Sequence, residues 1–277
     1  MENSQVKQVL KSLRDLQAKT GIDINRLRSS VALERLLARV VLNKELSTHV
    51  IFKGGYVMAR VYGSDRYTRD IDATAQNISM DNIRTRVLSA LETDIGDGFW
   101  FGDMAVSDLE HHAESYGGLR FDVAFRIGKP DLRKIGKLSR VHFDVGVGDS
   151  IGNPPAFAAL QPLLGGGQSL SWMVYPPEFI YSEKLETLVT RGSTNSRAKD
   201  FYDLDILFDK ISLEKLASAI RLTFDNRSTQ IPVSFKEYIQ GLDCSYIEPS
   251  WKAQGFGDFG LALDRLSESL GKIDSVL

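Results

Sequence analysis

Cysteine is almost absent from this chain: Cys244 is the single one in 277 residues. An internal disulfide is therefore excluded, as is a zinc site built from several thiolates, and a reducing cytosol is the natural setting. Long apolar runs are missing as well, so no segment reads as a membrane span. The first residues, MENSQVKQVLKSL, are polar and amphipathic and lack the apolar core of a signal peptide. A cytoplasmic location is expected. Excess charge of one sign is lacking too. Lys and Arg number 34 against 36 Asp and Glu, a formal net charge of -2, so no global basic field advertises nucleic acid and any RNA site must be a local patch. Internal repeats and low-complexity segments are not found. What remains is ordinary soluble material, 43% hydrophobic and 25% charged, long enough for one large domain or two modest ones.

The most informative stretch runs from His49 to Thr74, HVIFKGGYVMARVYGSDRYTRDIDAT. Val50, Ile51 and Phe52 form a short apolar run that reads as a buried strand. Gly54 and Gly55 break it, and Tyr56 to Tyr62 read as a short helix ended by Gly63. A second extended segment, Thr68 to Thr74, carries Asp70 and Asp72 in alternation with Ile71 and Ala73. Side chains on a strand alternate faces, so the two carboxylates share one face while Ile71 enters a core. Alone, such a D-x-D is a solvated strand end. Two like charges so close are also tolerable with a cation between them, and Mg²⁺ is held by one or two carboxylates together with substrate phosphates. The glycines upstream let a backbone approach a phosphate, and amides at the start of the following helix favour an anion. Double glycine, short helix and D-x-D strand together form the plan of a metal-dependent nucleotidyl-transfer site.

The run KGGYVMARVYGSDRYTRDIDAT resembles the first motif of the AbiEii-type (MenT-like) nucleotidyltransferase toxins, a branch of the polymerase-β-like nucleotidyltransferase superfamily. The resemblance continues downstream. In RVHFDVGVGD, Val141, Phe143, Val145 and Val147 alternate with His142 and Asp144. This looks like the second motif, which supplies a third carboxylate from a neighbouring strand, and Asp144 is the choice for it. Asp122, in LRFDVAF, alternates equally well and is its rival, while Asp149 reads as a turn residue. Ile180, Leu185, Leu188 and Val189 have roughly helical spacing, and Lys184 sits among them in an E-K-L context. With Arg197, Lys199, Asp200, Tyr202, Asp203 and Leu204 it resembles the third and fourth motifs.

The remaining chain frames these motifs. Two helices are expected over 3–47, with Asp23 or Asn25 capping the second and its Arg and Lys residues forming a solvated face. A helix over Ser79 to Leu91 follows, then strands over Phe99 to Leu109, Gly118 to Arg126 and Arg140 to Val147, with a turn at Tyr116-Gly117-Gly118 and a basic turn at Pro130 to Lys137. Pro154, Pro155, Pro162 and Gly165-Gly166-Gly167 mark 153–167 as a linker. A helix begins at Glu178, and the tail from Leu213 is helical, broken at Asn226-Arg227-Ser228 and Gly255-Phe256-Gly257, with Trp251, Phe256 and Phe259 as packing residues. The expected fold is α+β. Residues 1–152 form a polymerase-β-like nucleotidyltransferase core, a mixed sheet flanked by helices, and 168–277 a mostly helical C-terminal domain.

The resemblance implies a Mg²⁺-dependent toxin that transfers a nucleoside monophosphate from a triphosphate to the 3′ end of tRNA and blocks translation, restrained by a cognate antitoxin. Asp70, Asp72 and Asp144 would hold the metal. Lys53, Gly54, Gly55, Ser64, Arg66 and Thr68 would serve the nucleotide, with Thr68 where the family often has serine. Arg69 either touches phosphate or is simply exposed. Lys184 would contact the triphosphate and Asp200 would position it, whereas Asp203 and Asp205 have weaker claims and cap or solvate their helix. Lys129, Arg133, Lys134, Lys137 and Arg140 form a local basic run opposed by Asp131 alone, suited to an RNA backbone or to a solvated hairpin. Two other functions use parts of the same pattern: a small-molecule nucleotidyltransferase of the antibiotic-modifying type, and a non-catalytic binding module that kept the fold.

Overall fold

The computed structural model describes residues 2–109, 117–147, 155–166 and 168–277. Tyr116 and Asp149, for which turns are expected, lie outside the described residues, as do Asn153, Pro154 and Gly167 of the expected linker. The described residues fall into two compact units, the first drawn from 2–61, 65–147 and 155–174, the second from 62–64 and 175–277.

The first unit opens with α1 (Glu2–Thr20) and α2 (Ile24–Leu42). The Asp23 carboxylate accepts from the amides of Asn25 and Arg26 at 2.9 and 3.0 Å, which satisfies two otherwise orphaned donors and starts α2. Leu33, Leu36, Leu37 and Val40 of α2 are buried. Its basic residues do not all form a solvated face. Arg39 is buried, donating to Asp97 at 2.7 and 3.0 Å and to the carbonyls of Thr93 and Phe99, with its guanidinium 4.7 Å from the Phe101 ring centroid. A guanidinium survives burial when its donors are matched this fully.

There follow α3 (Leu46–His49), β1 (Val50–Lys53), α4 (Gly54–Arg60), β2 (Asp70–Ala75), α5 (Met80–Glu92), β3 (Phe99–Asp108), β4 (Gly118–Ile127), a 3-10 segment over Leu132–Lys137, β5 (Ser139–Val147), β6 (Ala156–Leu160) and β7 (Leu170–Val174). The strands form one mixed sheet in the order β3-β4-β5-β2-β1-β7-β6, parallel at β2–β5 and β1–β7 and antiparallel elsewhere. Its aromatic core joins Phe121 to Phe143 at 6.0 Å, Phe143 to Phe52 at 6.0 Å, and Phe52 to Trp172 at 5.4 Å between ring centroids. Two expectations need correction. Helix α4 starts on the glycine pair itself rather than after it, and ends at Arg60. The stretch 153–167 is not all linker: β6 lies inside it and pairs with β7 from Ala156↔Val174 to Leu160↔Leu170. Its Pro and Gly residues include the connection of a hairpin within the sheet, so the first unit extends to residue 174.

The second unit is helical: α6 (Pro177–Arg191), a 3-10 turn over Gly192–Thr194, α7 (Ala198–Phe208), α8 (Leu213–Asn226), α9 (Phe235–Gln240), α10 (Ile247–Gln254) and α11 (Phe259–Asp274). Gly255, at φ 72°, ends α10 in the left-handed conformation where a side chain would be strained. Trp251 packs edge-on to Phe256 at 5.2 Å and Phe259 at 5.6 Å, so these rings are structural as expected.

Candidate active site

The site is built on the centre of the sheet. Ile71 and Ala73 of β2, and Phe143 and Val145 of β5, are buried. Period-two alternation therefore sends Asp70, Asp72, His142 and Asp144 to the other face. Strands β2 and β5 pair in parallel with Asp72 opposite Asp144 and Asp70 opposite His142. In the antiparallel pair on the other side, Lys53 of β1 is opposite Asp72. Arg120 of β4 is opposite Asp144. One row across the face thus reads Lys53, Asp72, Asp144, Arg120. Asp122 is a strand further out: β5 separates it from β2, and its register partner is His142. Of the two rivals, Asp144 is the one beside Asp72.

The glycines have a second reason to be glycines. A side chain on Gly54, which sits at φ 70°, would overlap the Asp72 carboxylate. One on Gly55 would meet the Arg66 guanidinium at 2.8 Å. The pair therefore gives up its own side-chain volume to an acid and a base that pack over the start of α4. Thr68, which is buried, donates its hydroxyl to Asp70 and so orients that carboxylate. Arg69 lies 5.8 Å from the Tyr67 ring centroid, a cation–π contact. Ser64 is buried and groups with the second unit.

Arg120 is the residue that sequence reasoning missed here. Its Nε and Nη2 donate to the two oxygens of Asp144 at 2.9 and 2.6 Å. The Asp144 bond, and then the charges of Asp144, Asp70 and Asp72, hold the guanidinium above its ordinary basicity. Its signal was available: Arg120 and Asp122 alternate with Leu119, Phe121 and Val123 in the same way as the acids of β2. As they stand, the three carboxylates share a face without forming a closed cage. Among the described residues no group of three acidic, histidine or cysteine side chains is gathered tightly enough to hold a metal.

In the second unit, Lys184 projects from α6 between two acids of α7. Its Nζ is 2.7 Å from Asp200 and 2.7 Å from Asp203. Asp203 is wholly buried, at 0% exposure. The expectation that it merely caps or solvates its helix is therefore corrected. The i, i+3 spacing of Asp200 and Asp203 puts both on one side of α7, which is the signal that could have found it. Asp205, by contrast, pairs outward with Arg265 at 2.6 Å.

The basic run is divided. Lys134 and Lys137 are exposed in the 3-10 segment, and Lys129 lies just before it. Arg133 is bonded to Asp131 at 3.1 Å. Arg140 is committed to Asp122 at 2.7 Å, to Asp103 at 2.8 Å and to both of their main-chain carbonyls. These acids are distant in sequence, so the run's single apparent opponent, Asp131, understated them. Among the described residues no helix is long and apolar enough to cross a membrane.

Comparison with known proteins agrees with this architecture. A crystal structure from H. pylori, described as that of a candidate nucleotidyltransferase, superposes with a TM-score of 0.51 at 18% identity, covering 92% of this chain and 95% of that one. The structure of JHP933 from Helicobacter pylori gives 0.49 at 18% identity, covering 89% and 90%. At such identity the first likeness speaks for the fold. No curated protein matches the chain. Residues 35–266, from within α2 to within α11, match the family model described as nucleotidyl transferase AbiEii toxin, Type IV TA system. That span takes in most of the sequence and both units, and so the chain belongs to the AbiEii family of nucleotidyltransferase toxins of type IV toxin–antitoxin systems.

Proposed function

We propose that this nucleotidyltransferase moves a nucleoside monophosphate from a triphosphate to the 3′ end of tRNA, with Mg²⁺ as cofactor, and thereby blocks translation unless a cognate antitoxin restrains it. The observation that carries this is the pairing of Asp72 with Asp144 on one sheet face, beside a glycine corner that Asp72 itself fills. The donor chemistry fits the cofactor: Asp70, Asp72 and Asp144 offer only oxygen, the ligand type of a hard divalent cation, and would have to draw together around it. When bound there, the ion would supply charge stabilisation to the attacking and leaving oxygens.

The chain's own residues divide along the row. Lys53 and Arg66, on the glycine side, draw in the triphosphate. Gly54 and Gly55 leave room for the Asp72 carboxylate and the Arg66 guanidinium to pack over the start of α4. Thr68 keeps Asp70 turned to its task. Asp144, at the far side of the pair, orients the acceptor hydroxyl. That oxygen attacks the α-phosphorus as its proton passes to the Asp144 carboxylate, the new P–O bond forms, and the bond to pyrophosphate breaks. Lys184, held by Asp200 and Asp203, carries the triphosphate role implied by its motif. Lys129, Lys134 and Lys137 serve the RNA backbone.

The test is incubation of the purified protein with each α-labelled nucleotide, Mg²⁺ and total tRNA. Label is expected in tRNA, and Asp72→Asn is expected to slow its entry about 10³-fold, roughly 4 kcal/mol of transition-state stabilisation. Label found on a small acceptor and never in RNA would reject the tRNA assignment. Equal rates for wild type and variant would reject the carboxylate site.

A further inference from the structure

Arg120 has a place in the row that the proposed transfer reaction does not explain. It stands at the end opposite Lys53, so the order across the sheet is cation, anion, anion, cation. Both of its donors to Asp144 go to different oxygens of that carboxylate, the arrangement a divalent cation would need to displace. Its anchoring is also unlike that of its neighbour. Arg140 is tied by two carboxylates and two main-chain carbonyls. Among the described residues, Asp144 is the one hydrogen-bond partner of the Arg120 guanidinium. Its side chain is 48% exposed, so water and solutes reach the pair. A guanidinium held on one side only, next to solvent, is exchangeable. Its planar fork matches a phosphate as well as a carboxylate.

We propose that Arg120 is the internal counter-ion of the carboxylate row: it occupies Asp144 until a divalent cation arrives, yields both oxygens to it, and then pairs with the phosphate next to the acceptor's attacking hydroxyl. This rests on the metal-dependent reading above. The destination follows from strand order. The triphosphate side is the glycine corner at β1 and α4, and Arg120 lies beyond Asp144 on β4, the acceptor side. Cation loading and acceptor binding are thereby coupled through one side chain.

The experiment uses the full chain without nucleotide, with Mn²⁺ as the probe read by electron paramagnetic resonance. Arg120→Gln is expected to bind Mn²⁺ about fivefold more tightly than wild type, the worth of one half-exposed bidentate pair. Arg120→Lys, which keeps the charge but not the fork, is expected to fall between them. A short RNA with a free 3′ hydroxyl is then titrated by fluorescence anisotropy. Its affinity should rise with Mn²⁺ for wild type and lose that dependence in Arg120→Gln. Thermal melting confirms that both variants are folded. Mn²⁺ affinity unchanged or weakened in Arg120→Gln, with Asp72→Asn abolishing it, overturns the counter-ion proposal and leaves the metal site standing. RNA binding that keeps its Mn²⁺ dependence without Arg120 overturns the phosphate role. Asp72→Asn binding Mn²⁺ as well as wild type does removes the metal reading itself, and this proposal with it.

Discussion

Each unit holds a set of opposed charges, and the two sets differ in how they are closed. On the sheet, Asp144, itself 13% exposed, is paired with an arginine that is 48% exposed, on a face that alternation keeps polar. In the helical unit, Lys184 is 11% exposed and sits between Asp200 at 13% and Asp203 at 0%. The first arrangement lets partners leave and enter, because water can stand in for either of them. The second does not, because a charge stripped of its partner there stays buried. Open ion pairs are suited to ligand exchange, whereas closed ones fix a side chain in place. Lys184 reads as a lysine whose direction is set by Asp200 and Asp203 together.

The sharpest way to break that contrast is to neutralise one acid in each set and measure unfolding in urea. Asp203→Asn is expected to cost about 3 kcal/mol, the usual result of removing one partner of a buried pair. Asp144→Asn is expected to change stability by no more than about 1 kcal/mol, because the remaining Arg120 is half in solvent. Equal losses would show that the sheet row is as closed as the helical cluster.

A smaller effect probes whether the open row is nonetheless precisely shaped. Gly54→Ala places a methyl group where the Asp72 carboxylate lies, at a backbone φ of 70°. It should reduce transfer about 100-fold, since displacement by an ångström at a reacting centre has that order of effect, and cost about 1 kcal/mol of stability for the left-handed backbone. Gly21→Ala is the control. Gly21 has the same φ of 70° and nothing within 4 Å of its added carbon. It should show the stability cost and no loss of transfer.

The legibility of the chain follows the same division. The D-x-D face, the β5 alternation and the helical second half could be read because period two and period 3.6 are local properties. Asp70 and Asp72 declare their shared face within three residues. What could not be read depends on register. Arg39 meets Asp97, and Arg120 meets Asp144, across stretches that sequence alone does not align. Arginines without visible partners look solvated, which is why Arg39 was expected outside and Arg120 passed unnoticed. The β6–β7 hairpin was hidden differently. AFAAL and LSWMV are short apolar runs, but prolines and glycines around the first outweighed it as a strand signal. The roles assigned to the site residues came from motif resemblance, and geometry adds to them a reason for Gly54 and a partner for Lys184.

The smallest effect concerns a third ion pair, intermediate between the two, at Glu186 of α6. It is 4% exposed and accepts from Thr190, Thr229 and Arg227. Burial pushes its carboxyl up, but these bonds together outweigh burial and leave it below the ordinary value of 4.5. A carboxylate whose folded-state value is lowered binds fewer protons folded than unfolded. Its contribution is therefore fully present above the unfolded value and is lost as pH falls through the lowered one. Glu186→Gln should be less stable than wild type by about 1 kcal/mol at pH 7. That gap should narrow below pH 4.5 and close once the folded-state carboxyl is protonated. Urea unfolding across pH 3 to 7 provides the measurement. A gap that stays constant over the whole range would mean that the charge of the carboxylate, and with it the Arg227 pair, does not cause the difference.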